Sequence, residues 1–444
     1  MSKLRLAIVG AGPAGIYAAD LLIKSELRDF DVSIDLFDLL PAPYGLVRYG
    51  VAPDHPRIKG IIRALYEVLD RGDIRFFGNV QYGKDITLDD LKKHYNAVIF
   101  ATGAVKDADL NIPGIDLEGS FGAAEFVNWY DAHPDFPREW PLTAKQVAVV
   151  GNGNVALDVA RVLAKLPDDM LSTDIPANVY EGLKASPVTD VHVFGRRGPA
   201  QVKFSPLELR EATHIAGVDC IVYDEDFQYD AGSQEAIDTN NQTRVMVNTL
   251  EALREEPQNT GATRRLHLHF FSQPHEVLGE DGKVVGFRIE RTKLDGNGGV
   301  TGTGEFRDYP VQAVYRAVGY FGSELPEIPF DGKRGVIPND GGRVAPGVYA
   351  TGWIKRGPVG LIGHTKSDAL ETITNLINDK PTWWTPSEPA EESITALLTE
   401  RNVDFVDWAD WLKIDAKEIA LGEAQGRERI KLVEREDFIR VAKG

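Results

Sequence analysis

The chain opens on a short apolar run, a glycine turn and a second, helical apolar pattern. Leu4-Arg5-Leu6-Ala7-Ile8-Val9 reads as a buried strand, Gly10-Ala11-Gly12-Pro13-Ala14-Gly15 as a tight turn, and Ile16 to Asp20 as the first turns of a helix. Asp31 to Asp38 alternates polar and apolar residues, which predicts a second strand. Ile58 to Leu69 has the spacing of an amphipathic helix, Ile74 to Val80 that of a strand, and Ala97 to Phe100 forms a buried strand running through Ala101 and Thr102 into Gly103. The pattern then restarts: Gln146 to Val150 is a strand, Gly151-Asn152-Gly153-Asn154-Val155-Ala156 a turn, Leu157 to Leu166 a helix and Val191 to Phe194 the next strand.

Beyond the second unit, Val202 to Ala216 predicts a helix carrying Glu208 and Glu211, and residues 223–262 predict helices and surface loops. Leu266 to Phe271, Val284 to Arg291 and Tyr309 to Val318 read as strands joined by turns such as Asp295-Gly296-Asn297-Gly298-Gly299. Gly347 to Trp353 is a last buried strand, leading through a glycine-rich loop to a helix over Leu361 to Leu376. Pro381 to Pro389 is a linker, and the acidic tail Glu392 to Gly444 is mostly helical, with Trp408 and Trp411 packing it onto the body. The fold class is therefore α/β with two dinucleotide-binding units.

A chain of 444 residues exceeds one core, and 43% hydrophobic with 26% charged residues is ordinary for a globular protein. The net charge of −18 argues against a general binder of nucleic acid or anionic membranes. No apolar run approaches the ~20 residues of a membrane span, and the glycine turn interrupts any signal-like start, so the expected location is cytoplasmic. Cys220 is the single cysteine, which excludes an intrachain redox disulfide and with it a disulfide reductase.

The two turns carry the chemistry. Gly10 permits the bend, Gly12 lets a pyrophosphate approach the backbone, and Gly15 lets helix and strand pack closely; free N–H groups at the helix start then face the phosphates. Asp38, at the end of the second strand, is placed to bond ribose hydroxyls, the alternative being a solvated strand end. At the second turn, Gly151, Gly153 and Ala156 take the glycine places, but the acid is replaced by Gly195-Arg196-Arg197-Gly198. Arginines there pair with a 2′-phosphate and select NADP, the alternative being a solvated basic turn. The insertion Pro167 to Pro187 accounts for the longer spacing. An acid at one site and arginines at the other call for two nucleotides, FAD with NADP(H), between which hydride passes.

Gly10 to Gly15, Pro43 to Pro56, Gly151 to Arg161, Gly195 to Pro199 and Gly352 to Gly360 make the chain similar, over almost its whole length, to the adrenodoxin reductase family of ferredoxin–NADP⁺ reductases. Gly45-Leu46-Val47-Arg48-Tyr49-Gly50-Val51-Ala52-Pro53-Asp54-His55-Pro56 is the most specific string. The resemblance implies a glutathione-reductase-like architecture, with an FAD domain over 1–103 and 318–444, and an NADP domain inserted over 104–317. It implies FAD contacts from Asp38, Gly45, Leu46, Val80, Trp353 and Gly360, and NADP contacts from Asn154, Val155, Arg196, Arg197 and Glu208. His55 and Glu211 would lie near the redox centre, with no metal and with ferredoxin as the electron acceptor.

Read singly, Trp353 has the lesser alternative of a core aromatic, His55 the alternative of a surface-loop histidine, Glu211 that of a solvent-facing acid, and Asp158 that of an ion-pair partner of Arg161 at i,i+3. Asp38 stands where the family often has Glu. An acidic ferredoxin needs a local basic surface, for which Arg196/Arg197, Arg264/Arg265 and Lys355/Arg356 are the candidates. A flavin monooxygenase and a non-catalytic FAD/NADP-binding assembly subunit are the competing functions.

Overall fold

Every residue of Leu4 to Val9 is buried, so the first strand needs apolar residues on both faces. In the computed structural model, which describes residues 3–256, 260–296, 299–360 and 362–444, this strand is β1 (Lys3–Val9), followed by α1 (Pro13–Lys24), β2 (Asp31–Phe37), α2 (Ile61–Leu69), β3 (Ile74–Phe77) and β4 (Ala97–Phe100). There follow β5 (Ser120–Gly122), β6 (Gln146–Val150), α3 (Asn154–Ala164), β7 (Asp190–Phe194), α4 (Pro206–Thr213), β8 (Val218–Ile221) and β9 (Arg264–His269). Next are β10 (Ser272–Glu280), β11 (Lys283–Leu294), β12 (Val300–Tyr309) and β13 (Ala313–Arg316). The chain closes with β14 (Arg343–Ala345), β15 (Val348–Ala350), α5 (Ile362–Asn378), α6 (Glu391–Glu400), α7 (Trp408–Glu423) and α8 (Arg435–Lys443).

The chain divides into two units. The first comprises the chain up to Lys106, Asp131–Asp135 and Tyr320–Gly444; the second comprises Asp107–Tyr130 and Phe136–Gly319. The short return of Asp131–Asp135 to the first unit has no signal in the sequence.

The first unit is built on a sheet ordered β14-β15-β4-β1-β2-β3. Its pairs from β15 to β3 are parallel, and β14 is antiparallel at the edge. Beyond the exposed Asp31, the polar positions within β2 are not solvent-facing. Ser33 and Asp35 are buried. Asp35 accepts from Arg5 at 2.7 Å, from Arg75 at 2.7 Å and from the Tyr95 hydroxyl at 2.6 Å. A buried carboxylate is tolerated because its lone pairs are so fully occupied. Leu6, Ile8, Leu36 and Ile99 belong to one apolar cluster with Ile16, Ala369 and Ile373 of α1 and α5, and with Trp411, Ile414 and Phe438 of α7 and α8. The Trp408 ring meets Tyr66 at 5.4 Å with planes 54° apart and Trp411 is buried in the cluster, so both tail tryptophans pack onto the body as the sequence indicates.

The second unit is built on a parallel sheet ordered β5-β13-β6-β7-β9-β8. An antiparallel sheet, β10-β11-β12, packs Val277, Phe287 and Ile289 against Phe194 and Val150. Helices Ala231–Thr239 and Asn241–Glu255 occupy the polar stretch.

Three readings of the sequence change. The helix over Ile58 to Leu69 is divided at Gly60 into Pro56–Lys59 and α2, where glycine weakens helical continuity. The strand over Tyr309 to Val318 is two strands: Pro310 has no N–H for the ladder, so β12 ends before it and β13 joins the other sheet. β10 and most of β12 give little apolar signal, because they are held by antiparallel pairing to β11 more than by burial. In the turn at Asp295 to Gly299, Asn297 and Gly298 lie outside the described residues, as does Leu361 at the predicted start of α5.

Candidate nucleotide-binding sites

The first glycine turn is shaped by close backbone approaches. A Cβ on Gly10 would stand 2.3 Å from the Ala101 carbonyl oxygen, and one on Gly15 would stand 2.0 Å from the Gly10 carbonyl oxygen. Gly12 differs: the nearest atom to its Cβ position is the Gly45 Cα at 3.8 Å. That open face lies at the start of α1, which has Pro13 in its first turn and no side-chain cap. The N–H groups that begin such a helix are free to receive an anion. Asp38 ends the approach from β2, its carboxylate accepting from the Ala11 N–H at 2.7 Å and the Leu40 N–H at 2.9 Å. Burial pushes its pKa up to about 6, against the lowering effect of those two N–H bonds and of Arg435. Val80 joins the same corner, its N–H donating to the Asp38 carbonyl at 2.8 Å.

Other segments of the first unit close around this turn. Gly45 has φ 51°, and a Cβ on it would stand 2.9 Å from the Gly12 Cα; Leu46 begins the short helix behind it. Gly352 has φ 76°, and its Cβ position lies 2.6 Å from the Ala14 Cβ. Asp368 of α5 fixes that second approach by accepting the Gly352 N–H at 2.5 Å. Half-buried Trp353 then starts the helix Trp353–Arg356, and Gly360 takes a φ of 87° in the exposed loop beyond. Thr102 Oγ1, at the end of β4, is buried without a hydrogen-bond partner among the described residues.

The second turn repeats the first with different surroundings. A Cβ on Gly151 would stand 2.3 Å from the Ala317 carbonyl oxygen, whereas nothing lies within 4 Å of the Gly153 position. Gly153 starts α3 with no side-chain cap, the Val155 N–H belongs to the first turn of that helix, and Ala156 is buried with its N–H donating to the Gly153 carbonyl at 3.1 Å. The Asn154 side chain accepts the Ser205 N–H at 2.8 Å, and Asn152 carbonyl oxygen accepts the Lys203 N–H at 2.9 Å. After β7 the backbone of Gly195 to Arg197 is pinned: the Arg196 carbonyl accepts from Thr292 Oγ1 at 2.7 Å and the Arg197 carbonyl from the Phe271 N–H at 3.1 Å. The guanidinium of Arg196 is exposed, and neither arginine has an ion-pair partner among the described residues; Arg197 Nε is buried and unpartnered. Fixed backbone with unspent cations is the arrangement a phosphate requires.

The pyridine nucleotide-disulphide oxidoreductase family matches residues 4–194. The chain is 40% identical to the NADPH-ferredoxin reductase FprA of Mycobacterium tuberculosis, covering 100% of both chains. It is 38% identical to the mitochondrial NADPH:adrenodoxin oxidoreductase of Homo sapiens, covering 98% of this chain and 91% of that one. The chain belongs to the NADPH-ferredoxin and adrenodoxin reductase family. The solved structure of Mycobacterium tuberculosis FprA in complex with NADPH has a TM-score of 0.92 to this structure, at 38% identity and full coverage of both chains.

Within this reductase family fold, His55 lies in the first unit and Glu211 in the second. His55 is buried rather than a surface-loop residue, and Glu211 is half-buried on α4. Glu208, on the same helix, is buried and meets Arg161 at 3.4 Å, while Arg161 pairs with Asp158 at 2.8 Å. The i,i+3 pair read from the sequence is therefore present. Cys220 is buried, and burial pushes its thiol up to about 12, which makes it unreactive.

Two of the three basic pairs are engaged by partners of their own, although Arg265 is exposed and Arg356 half-buried. Arg264 is buried and donates to the Lys165 carbonyl at 2.5 Å; Arg265 pairs with Asp190 at 2.6 Å. Lys355 is buried between Asp368 at 2.9 Å and Glu371 at 2.6 Å, and Arg356 reaches Asp368 at 2.9 Å. Doublets of Lys and Arg in the sequence do not reveal such distant acid partners.

Sequence reasoning also missed the histidines of β7 and β9. His192, His267 and His269 are buried together. His192 and His267 stack at 4.2 Å with planes 14° apart, and His192 Nδ1 lies 3.0 Å from His269 Nε2. Their ring nitrogens are engaged with protein groups: His192 Nδ1 with His269 Nε2, and His267 Nε2 with Asp190 at 2.9 Å. The signal was the alternation His267-Leu268-His269 on one strand.

Proposed function

We propose that the protein is an NADPH-dependent flavoprotein reductase that passes hydride from NADPH to FAD and then single electrons to a ferredoxin-type iron–sulfur protein. The observation that carries this reading is the pair of open, uncapped glycine turns with opposite chemistry beside them: Asp38 at the first, unpaired Arg196 and Arg197 at the second. The names of the relatives, NADPH-ferredoxin reductase and NADPH:adrenodoxin oxidoreductase, support the electron donor and acceptor.

On this reading the first unit holds FAD. Gly10, Gly12, Ala14 and Gly15 cradle its pyrophosphate, Asp38 accepts from its ribose, and Gly45, Leu46, Val80, Trp353 and Gly360 supply the remaining FAD contacts. The second unit holds NADP(H). Gly151, Gly153, Asn154, Val155 and Ala156 form the phosphate turn, Arg196 and Arg197 take the 2′-phosphate, and Glu208 faces the same nucleotide. The family resemblance assigns His55 and Glu211 to the redox centre. Bound FAD supplies the junction between a two-electron donor and a one-electron acceptor; the residues supply orientation and exclude water. We place the reaction in the cytoplasm, which keeps a lone thiol such as Cys220 reduced.

The test is direct. The purified protein is expected to be yellow, to bleach anaerobically with NADPH, and to reduce cytochrome c much faster once a ferredoxin is added. Bleaching with no stimulation by any iron–sulfur protein would overturn the assigned acceptor, and a protein that takes up no FAD would overturn the whole reading.

A further inference from the structure

The segment Tyr44 to Val51 is held against the first glycine turn by the opposite end of the chain. Tyr44 has a φ of 85°, a left-handed conformation unfavourable for a bulky side chain. Its N–H donates to the Ala11 carbonyl at 2.8 Å, and Gly45 brings its backbone onto Gly12. Backbone strain of this kind persists only where the surroundings over-determine it. Here the surroundings come from α7 and α8. The Trp411 ring meets Tyr44 edge-on at 5.9 Å and 81°. Arg48 donates to both oxygens of Glu418, at 3.0 and 2.5 Å, and its guanidinium lies over Trp411 at 5.2 Å and Phe438 at 6.0 Å. Lys431 Nζ donates to the Arg48 carbonyl at 2.8 Å. Glu418 in turn accepts the Leu432 N–H at 2.9 Å and Arg429 at 3.3 Å. Arg48, Glu418 and Lys431 are all buried.

A buried ion pair adds little net stability over an apolar pair of the same volume, but it fixes direction, because a bidentate guanidinium–carboxylate contact has one geometry. We propose that Glu418 is a positioning residue for flavin retention: through Arg48 it latches Tyr44 to Val51 across the first glycine turn. This rests on the assignment of FAD to that turn. The C-terminal segment is then part of the cofactor site without touching the cofactor, and the latch, once loosened, lets the strained loop leave Gly12 and open the pocket.

The experiment compares FAD release from holoprotein, followed by the rise in flavin fluorescence on dilution, for three variants beside wild type. Glu418→Gln removes the charge at constant shape. The double variant Arg48→Met/Glu418→Leu replaces the pair by apolar side chains but also takes the acceptor from the Leu432 N–H, so its Tm is measured beside its release rate. Leu398→Ala destabilises the separate apolar cluster under α6, away from the latch. Release at least tenfold faster in Glu418→Gln and in the double variant, with Leu398→Ala close to wild type despite its lower Tm, supports the latch. Wild-type release from the double variant overturns it, as does a release rate that follows Tm alone across the set. Should Glu418→Gln fail to fold, the double variant decides. A wild-type protein that binds no FAD removes the flavin assignment itself, which is a different outcome from an unlatched holoprotein.

Discussion

The Asp38 carboxylate accepts the Ala11 backbone N–H at 2.7 Å, tying the end of β2 to the middle of the first glycine turn. Its other oxygen takes the Leu40 N–H, and burial raises its pKa to about 6. Ribose hydroxyls need the ionised acceptor, so FAD binding opposes protonation. FAD affinity is expected to fall as pH drops through 6, and Asp38→Asn to bind FAD weakly with little pH dependence over the same range. The loss of one charge-assisted hydrogen bond, about 1.5–3 kcal/mol, corresponds to roughly 10- to 100-fold in affinity. FAD dissociation constants at pH 5 and 7.5 for both proteins check this; a parallel slope in the variant would refute the role of Asp38. The raised pKa means that the folded form holds this proton more tightly than the unfolded chain, so through Asp38 acid stabilises the apoprotein, and that stabilisation is lost as pH rises through about 6, opposite in sign to the fall in FAD affinity.

The glycines of the first turn separate folding from binding. Gly15→Ala places a Cβ 2.0 Å from a backbone oxygen, whereas Gly12→Ala meets nothing closer than 3.8 Å. Gly15→Ala is expected to lower Tm or prevent folding. Gly12→Ala should keep the Tm of the apoprotein and lose FAD affinity, because its methyl fills the space left for the pyrophosphate. Thermal unfolding with and without FAD distinguishes the two.

Replacing Arg196 and Arg197 by Ala is expected to raise the KM for NADPH by roughly 10- to 100-fold per arginine, from the strength of a charge-assisted hydrogen bond, with little effect on NADH. Steady-state kinetics with both donors test it. Equal losses for the two donors would remove the 2′-phosphate assignment.

The second unit carries an acid-sensitive layer. Burial, with repulsion from His267, lowers His192 to about 3, and burial also lowers His267 and His269. Their folded pKa values lie below the unfolded value near 6.5, so below that pH the unfolded chain binds protons that the native state refuses. Stability is therefore complete above pH 6.5 and is lost as pH falls, by up to about 1.4 kcal/mol per pH unit for each such proton. His192→Asn is expected to flatten the fall of Tm between pH 7 and pH 5. An unchanged slope would show that the imidazoles become charged without cost.

Much of the architecture was legible because the relevant signals are local. A glycine turn between a strand and a helix, Asp38 after β2, and Arg196–Arg197 after β7 are each specified within a few residues. The helical tail and its tryptophans were legible from composition and spacing. What escaped the sequence depended on pairing: β10 and β12 are strands because β11 lies between them, and Pro310 divides a run that apolarity alone joins.

The sequence by itself determined the two glycine turns, since a tight bend and an open backbone face favour glycine at those positions. Only the tertiary structure decided which charges remain available to a ligand. Arg264 donates to a backbone carbonyl, and Arg265, Lys355 and Arg356 pair with carboxylates brought from other strands and helices, while Arg196 has no ion-pair partner among the described residues. It also joined Arg48 to Glu418, 370 residues apart, across the loop that covers the first turn. The physical reason is that a turn is a property of neighbouring dihedral angles, whereas desolvation and ion pairing depend on which side chains the completed fold brings within a few ångströms.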